Sequence, residues 1–165
     1  MEQLNELLDL FQTEIEKTIL HQKIVIGGIW ALRLHGLITR QPNDLDIIIY
    51  DPIIEFEEYL ESLIKDKIAK DGQEDDEEEP YRSYKIEKDE HEIDFLLERN
   101  IDIPNNLLRY DYKGIIYYVQ SIFEVFKAKT KYGEREKDIN DCIKLKKDNF
   151  NLLKTPEFSI DDLPF

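Results

Sequence analysis

Apolar residues recur at helical spacing over residues 2–20, where Leu4, Leu7, Leu8, Phe11, Ile15 and Ile19 line one face of an amphipathic helix. The pattern then changes. Lys23–Ile26 reads as a strand, and a short helix is expected from Ile29 to His35, with Trp30, Ala31 and Leu34 as its packing residues. Gly36 stands where a C-terminal glycine cap belongs. Asp44–Tyr50 is a second strand. Its run Ile47-Ile48-Ile49 is apolar without alternation, as in a strand covered on both faces. After Asp51-Pro52 a helix is expected to run to about Ala69, with Ile53, Phe56, Tyr59, Leu60, Leu63 and Ile64 on one face.

Lys70–Pro80 is low in complexity, with Asp75-Asp76-Glu77-Glu78-Glu79 at its centre, and reads as a solvated loop, because like charges in a row repel. Tyr81–Lys88 and His91–Glu98 form two strands joined by a tight turn at Asp89-Glu90. Residues 101–114, with Pro104 and Asn105-Asn106, read as irregular, and Ile115–Val119 as a further strand. Ser121 opens a helix, with Glu124 three residues later completing a capping box. A last helix is expected from Glu134 to Lys147, and Thr155–Phe165 as a tail. These elements predict a mixed α/β (α+β) fold. Its central sheet is flanked by helices, with residues 1–119 as core and 120–165 as a helical C-terminal portion packed on it.

Composition narrows the class. The 165 residues suffice for one real core, and 41% are hydrophobic, as in a globular protein. No apolar run reaches the length of a membrane span, and the acidic amphipathic N-terminus is unlike a signal or transit peptide. The single cysteine, Cys142, reads as a packed thiol and suits a reducing cytoplasm. The net charge of −15 disfavours broad gripping of nucleic acid through its phosphates.

The chemistry concentrates in residues 24–50. Alternate residues of a strand share a face, so Asp44 and Asp46 project together, away from Leu45 and Ile47. Two carboxylates so placed repel unless a cation lies between them, and Mg²⁺ is the economical partner. Gly27 and Gly28, between a strand and a helix, lack Cβ atoms and let backbone N–H groups approach an anion. On the later strand Asp94 stands among Ile93, Phe95, Leu96 and Leu97, and a carboxylate in apolar surroundings requires a partner. Glu92 faces the same side and is the alternative third acid. His91-Glu92 has no second histidine at helical spacing, so no zinc-protease motif is present.

The order Gly27-Gly28, His35-Gly36, Thr39-Arg40 and Asp44-Leu45-Asp46 resembles the nucleotidyltransferase fold of the DNA polymerase beta superfamily. It is similar in particular to the small antibiotic nucleotidyltransferases, which modify lincosamides and aminoglycosides, and to the abortive-infection toxin-type nucleotidyltransferases. The resemblance implies a metal-dependent enzyme that moves a nucleoside monophosphate from a nucleoside triphosphate (ATP or another NTP) to a hydroxyl acceptor. The acceptor would be a small molecule, an RNA or a protein. It implies Asp44, Asp46 and Asp94 as catalytic and metal residues, with Mg²⁺ or Mn²⁺. It implies Gly27, Gly28 and Arg40 at the nucleotide. Phe126-Lys127-Ala128-Lys129, then Arg135, Lys137-Asp138 and Asp141, is similar to the helical tail of the toxin-type enzymes, in which Lys127 would reach phosphate. The alternative within the same fold is a non-catalytic nucleotide-binding or antitoxin-type module that works with a protein partner.

Overall fold

The computed structural model of the chain describes residues 2–14, 22–66, 69–71, 81–98, 102–132 and 136–153. In chain order the elements are α1 (Glu2–Glu14), β1 (Ile24–Gly27), α2 (Gly28–Leu34), β2 (Asp44–Tyr50), α3 (Ile54–Lys65), β3 (Ala69–Asp71) and β4 (Tyr81–Lys88). They continue with β5 (His91–Glu98), β6 (Leu108–Tyr112), β7 (Ile115–Val119), α4 (Ile122–Tyr132), α5 (Glu136–Asp148) and α6 (Phe150–Leu153). The strands form one sheet in the order β3-β4-β5-β2-β1-β7-β6. β2 runs parallel to β5 and antiparallel to β1, and β1 runs parallel to β7, so the sheet is mixed, as the pattern predicts.

The alternation of each central strand divides its side chains between two layers. On one face Ile24, Ile26, Leu45, Ile47, Phe95 and Tyr117 are buried beneath α1 and α3. The predicted stripe of α1 supplies Leu4, Leu7, Leu8 and Phe11 to this core, and α3 supplies Phe56, Leu60 and Leu63. The Phe11 ring lies 5.9 Å from that of Phe95 and 6.1 Å, edge-on, from that of Tyr117. Burying an aromatic side chain so completely is worth about 1.5–3 kcal/mol before any gain from ring geometry. On the other face a smaller cluster joins α2 to the C-terminal helices, through Ile29, Leu32, Val125, Phe126, Cys142 and Leu145. Cys142 is buried there, as a packed thiol should be.

Both tight hairpins follow from two-residue turns. Asp89 and Glu90 have φ of 51° and 68°, and Lys113 and Gly114 of 48° and 79°. Positive φ at both central positions matches the twist of the flanking strands.

The structure departs from the sequence pattern in three elements, one of them the short α6 after the helix expected to be the last. α3 ends at Lys65, and Ala69 belongs to a short strand paired with β4 rather than to the helix. Residues 108–112, expected to be irregular, form β6, paired antiparallel with β7. Arg109 and Asp111 point outward, while Tyr110 and Tyr112 turn towards α1 and donate hydrogen bonds to Asn5 and Asp9. The alternation is present in Leu108–Tyr112, but the Pro104 to Asn106 breakers just before it obscure it. The acidic run at 75–79 and the tail from Thr155 lie outside the described residues. Among the described residues no helix is long and apolar enough to cross a membrane.

Candidate functional site

Strand register brings the predicted acids together. Gly27 pairs with Asp46 across β1 and β2, Asp46 with Asp94 across β2 and β5, and Asp94 with Lys85 across β5 and β4. These four residues make one row across four strands, each step about 4.8 Å. In the neighbouring row Asp44 pairs with Glu92 and Glu92 with Glu87. Asp44, Asp46, Glu92 and Asp94 therefore form a block of four carboxylates on the face opposite the α1–α3 core. One carboxylate oxygen from each of Asp44, Glu92 and Asp94 lies within 4.8 Å of the other two.

Crowded carboxylates resist ionisation. Burial, and then the charge of Asp44, pushes Asp46 up from 3.8 to about 7, against the pull of Lys129 and Arg40. Asp94 is pushed up to about 8, first by burial, then by its hydrogen bond with Asp44 and the charge of Asp46, with Lys85 opposing. A cation among these oxygens relieves both. The donor set consists of hard carboxylate oxygens, the chemistry that Mg²⁺ and Mn²⁺ take, so the residues fit a divalent ion of this class.

The glycine pair makes room for the block. Gly28 has φ +61°, and a Cβ there would collide with Asp46 Oδ2. A Cβ on Gly27 would come within 2.9 Å of Gln120 Oε1 and Ile48 Cδ1. Gln120, buried at the end of β7, latches this turn. Its Oε1 accepts the Gly28 N–H at 3.2 Å, its own N–H donates to Ile26 O at 2.9 Å, and His35 Nε2 lies 2.9 Å from its carbonyl. His35 is thus a packing residue at the end of α2.

Two cations approach from the helical side. Arg40 Nε lies 3.5 Å from Asp141 Oδ2, and Lys129 Nζ lies 4.0 Å from the same oxygen. Lys129 is 15% exposed at its side chain, whereas Lys127 is exposed on the outer side of α4. Lys129 is therefore the α4 lysine turned towards the acids. The sequence holds the signal for it, since Lys129 follows Val125 and Phe126, both buried, at helical spacing, and Lys127 does not. The Arg40 loop is pinned by Asn149, whose side chain accepts from Ile38 N at 2.7 Å and donates to Ile38 O at 2.9 Å. Asp141 stands on α5, while Arg135 and the side chains of Lys137 and Asp138 lie outside the described residues.

Lys85 was not singled out by pattern, yet it contacts the block directly. Its Nζ lies 3.1 Å from Glu92 and 3.9 Å from Asp94. The signal was the turn. A two-residue turn at Asp89-Glu90 pairs Lys88 with His91 and so, three steps on, Lys85 with Asp94.

No protein-family profile matches the chain, and no curated protein does. Among solved structures it is similar to a Helicobacter pylori protein named only as a candidate nucleotidyltransferase. The identity is 17%, over 99% of this chain and 86% of that one, with a TM-score of 0.46. It is also similar to JHP933 from Helicobacter pylori, at 16% identity over 98% of this chain and 85% of that one, again with a TM-score of 0.46. Likeness at this level carries no chemistry from those proteins to this chain.

Proposed function

We propose that the chain is a divalent-metal-dependent nucleotidyltransferase that moves a nucleoside monophosphate from a nucleoside triphosphate to a hydroxyl acceptor. The observation that supports this is the row Gly27–Asp46–Asp94, with Asp44 beside it, on one face of a mixed sheet. In this reading Asp44, Asp46 and Asp94 hold Mg²⁺ or Mn²⁺. The bound ion would supply charge neutralisation at the reacting phosphate and at the leaving pyrophosphate.

The remaining steps belong to the chain. The turn at Gly27-Gly28 orients the triphosphate against the Asp46 end of the row. For Gly28 to offer its N–H to phosphate, the Gln120 amide oxygen has to yield it. Arg40 stands on the helical side of the acids, its charge felt at Asp46, and is proposed to meet phosphate oxygens. Lys127 was the other phosphate contact the resemblance implied. We assign that role to Lys129, whose side chain is turned inward and whose charge also reaches Asp46. Asp94 lies on the far side of Asp46 from the glycines, where an acceptor hydroxyl would stand. Burial, its hydrogen bond with Asp44 and the charge of Asp46 raise its proton affinity, and in its ionised form it is proposed to complete the metal site or to take that hydroxyl's proton. Positioning and fixed charge do most of the work.

The test is calorimetric titration of each nucleoside triphosphate, with and without Mg²⁺, on wild type and on the double variant Asp44→Ala/Asp46→Ala. Wild type is expected to bind a triphosphate only with Mg²⁺, and the double variant not to bind. Turnover to pyrophosphate in a screen of small-molecule, RNA and protein acceptors then identifies the acceptor. Mg²⁺-dependent binding without turnover across that screen favours the non-catalytic module instead. No binding by either protein overturns the reading.

A further inference from the structure

Lys85 stands against the acid block and already holds two of its carboxylates. It is the β4 residue in register with Asp94, on the same face, and its side chain is about one-third exposed. Its ammonium lies 3.1 Å from a Glu92 oxygen and 3.9 Å from an Asp94 oxygen. Those two residues are members of the three-carboxylate group whose oxygens gather within 4.8 Å. A fixed positive charge therefore sits against the same carboxylates a divalent ion would use.

We infer that Lys85 is a positioning residue and the built-in counter-cation of this site. Paired with Glu92 and Asp94, it offsets part of the negative charge gathered there and keeps the affinity for the free ion low. This inference rests on the metal-site reading above and adds the control of that site. The physical argument is a balance of charge. Four carboxylates without a counter-ion would bind a divalent cation tightly on their own, since each charge adds to the field at the centre. One ammonium in contact with two of them cancels part of that field. A unit charge at these distances is enough to change a metal affinity about tenfold even after screening. The consequence is a site that takes its ion together with the triphosphate, whose own negative charge restores what Lys85 has cancelled.

The chain's other cations near the block differ in kind. Arg40 and Lys129 both face Asp141, which shares their charge. Among the described residues the ion-pair partners of Lys85 are Glu92 and Asp94, both members of the block, and the charge of Glu87 on its own strand also acts on it.

The experiment is direct Mn²⁺ binding without nucleotide, read by loss of the free-ion electron paramagnetic resonance signal, on wild type, Lys85→Met, Lys85→Arg and Asp44→Ala/Asp46→Ala. Lys85→Met is expected to bind Mn²⁺ about tenfold more tightly than wild type. Lys85→Arg, which keeps the charge, is expected to stay within about twofold of wild type, so the effect belongs to charge and not to packing. With a triphosphate present, the gain from Lys85→Met should shrink. Unchanged or weaker Mn²⁺ binding by Lys85→Met overturns the inference. If Lys85→Met fails in this way while wild type binds Mn²⁺ and the double aspartate variant does not, only the role of Lys85 falls and the metal site stands. If no variant binds Mn²⁺, both fall together.

Discussion

The two faces of the central sheet are built from the same strands and obey opposite rules. On β5, Ile93, Phe95 and Leu97 are fully buried under α1 and α3, while Glu92 and Asp94 turn to the other side and are half-buried. On β2, Leu45 and Ile47 face the core, and Asp44 and Asp46 face away from it. One face gains stability from every residue placed on it. The other loses stability, because burial and neighbouring carboxylates push Asp46 and Asp94 above the usual carboxylate range. Proteins tolerate that loss where a ligand is meant to reverse it, which makes the contrast informative about function. It also yields a test: adjacent residues of one strand should respond very differently to truncation.

The largest effect is expected on the apolar face. Phe95→Ala removes a fully buried ring in contact with Phe11 and leaves a cavity in the layer between sheet and α1. Chemical denaturation should report a loss of about 3–5 kcal/mol. Asp94→Ala, one residue away, should cost far less in the absence of metal, or stabilise. Equal losses at the two positions would remove the distinction between the faces.

A second prediction gives the acidic face its own sign. Asp46 binds its proton more tightly folded than unfolded, its value rising from 3.8 to about 7. Between those values the folded state carries the extra proton, so stability falls as pH rises through about 4 to 7. At 1.36 kcal/mol per pH unit, the loss from this residue is about 4 kcal/mol at most by pH 8. Asp46→Asn cannot titrate there. In EDTA its melting temperature should therefore fall less than that of wild type between pH 5 and pH 8, and exceed it at pH 8. Mn²⁺ at pH 8 should raise the wild-type melting temperature and leave that of Asp46→Asn nearly unchanged. Parallel pH profiles for the two proteins would show that Asp46 ionises freely.

How much of this contrast the chain announces depends on the distance over which the information lies. The pairing of Asp44 with Asp46 on one face needs only the two-residue period of a strand, and it was legible. The apolar stripe of α1 and the Ser121 cap were legible for the same reason, being patterns within a few residues. Asp94 was singled out because one acid stood in an apolar run. Lys85 was hidden because its meaning lies in a register, although the Asp89-Glu90 turn contained that register. Gln120 could not be read at all. Its hydrogen bond to Gly28 spans 92 positions, and nothing local marks a glutamine after a strand as a latch. β6 was lost to the breakers before it, and the end of α3 to a helix-like stretch that pairs with β4 instead.

Gly28 joins the two faces, since its φ is imposed by the strand-to-helix turn and its missing side chain is occupied by Asp46. Gly28→Ala combines a left-handed backbone with a collision against a carboxylate. A loss of about 1–3 kcal/mol is expected from the backbone strain alone. The sharper readout is Mn²⁺ binding, which should fall at least tenfold because Asp46 must swing aside. Loss of stability with metal binding intact would mean that Asp46 is not a ligand.

The smallest expected effect separates the support of the acidic face from its chemistry. Ser121 caps α4, its Oγ accepting the Glu124 N–H at 3.1 Å, and α4 carries Lys129 towards the acids. Ser121→Ala removes one cap and should cost about 1 kcal/mol. Lys129 lies two turns further along, and Val125 and Phe126, both buried, hold that part of the helix independently of its first turn. Mn²⁺ affinity, with and without triphosphate, should therefore stay at the wild-type value. If affinity for the triphosphate fell along with stability, the first turn of α4 would have to set the position of Lys129. The helical layer would then belong to the site itself and not merely to its support.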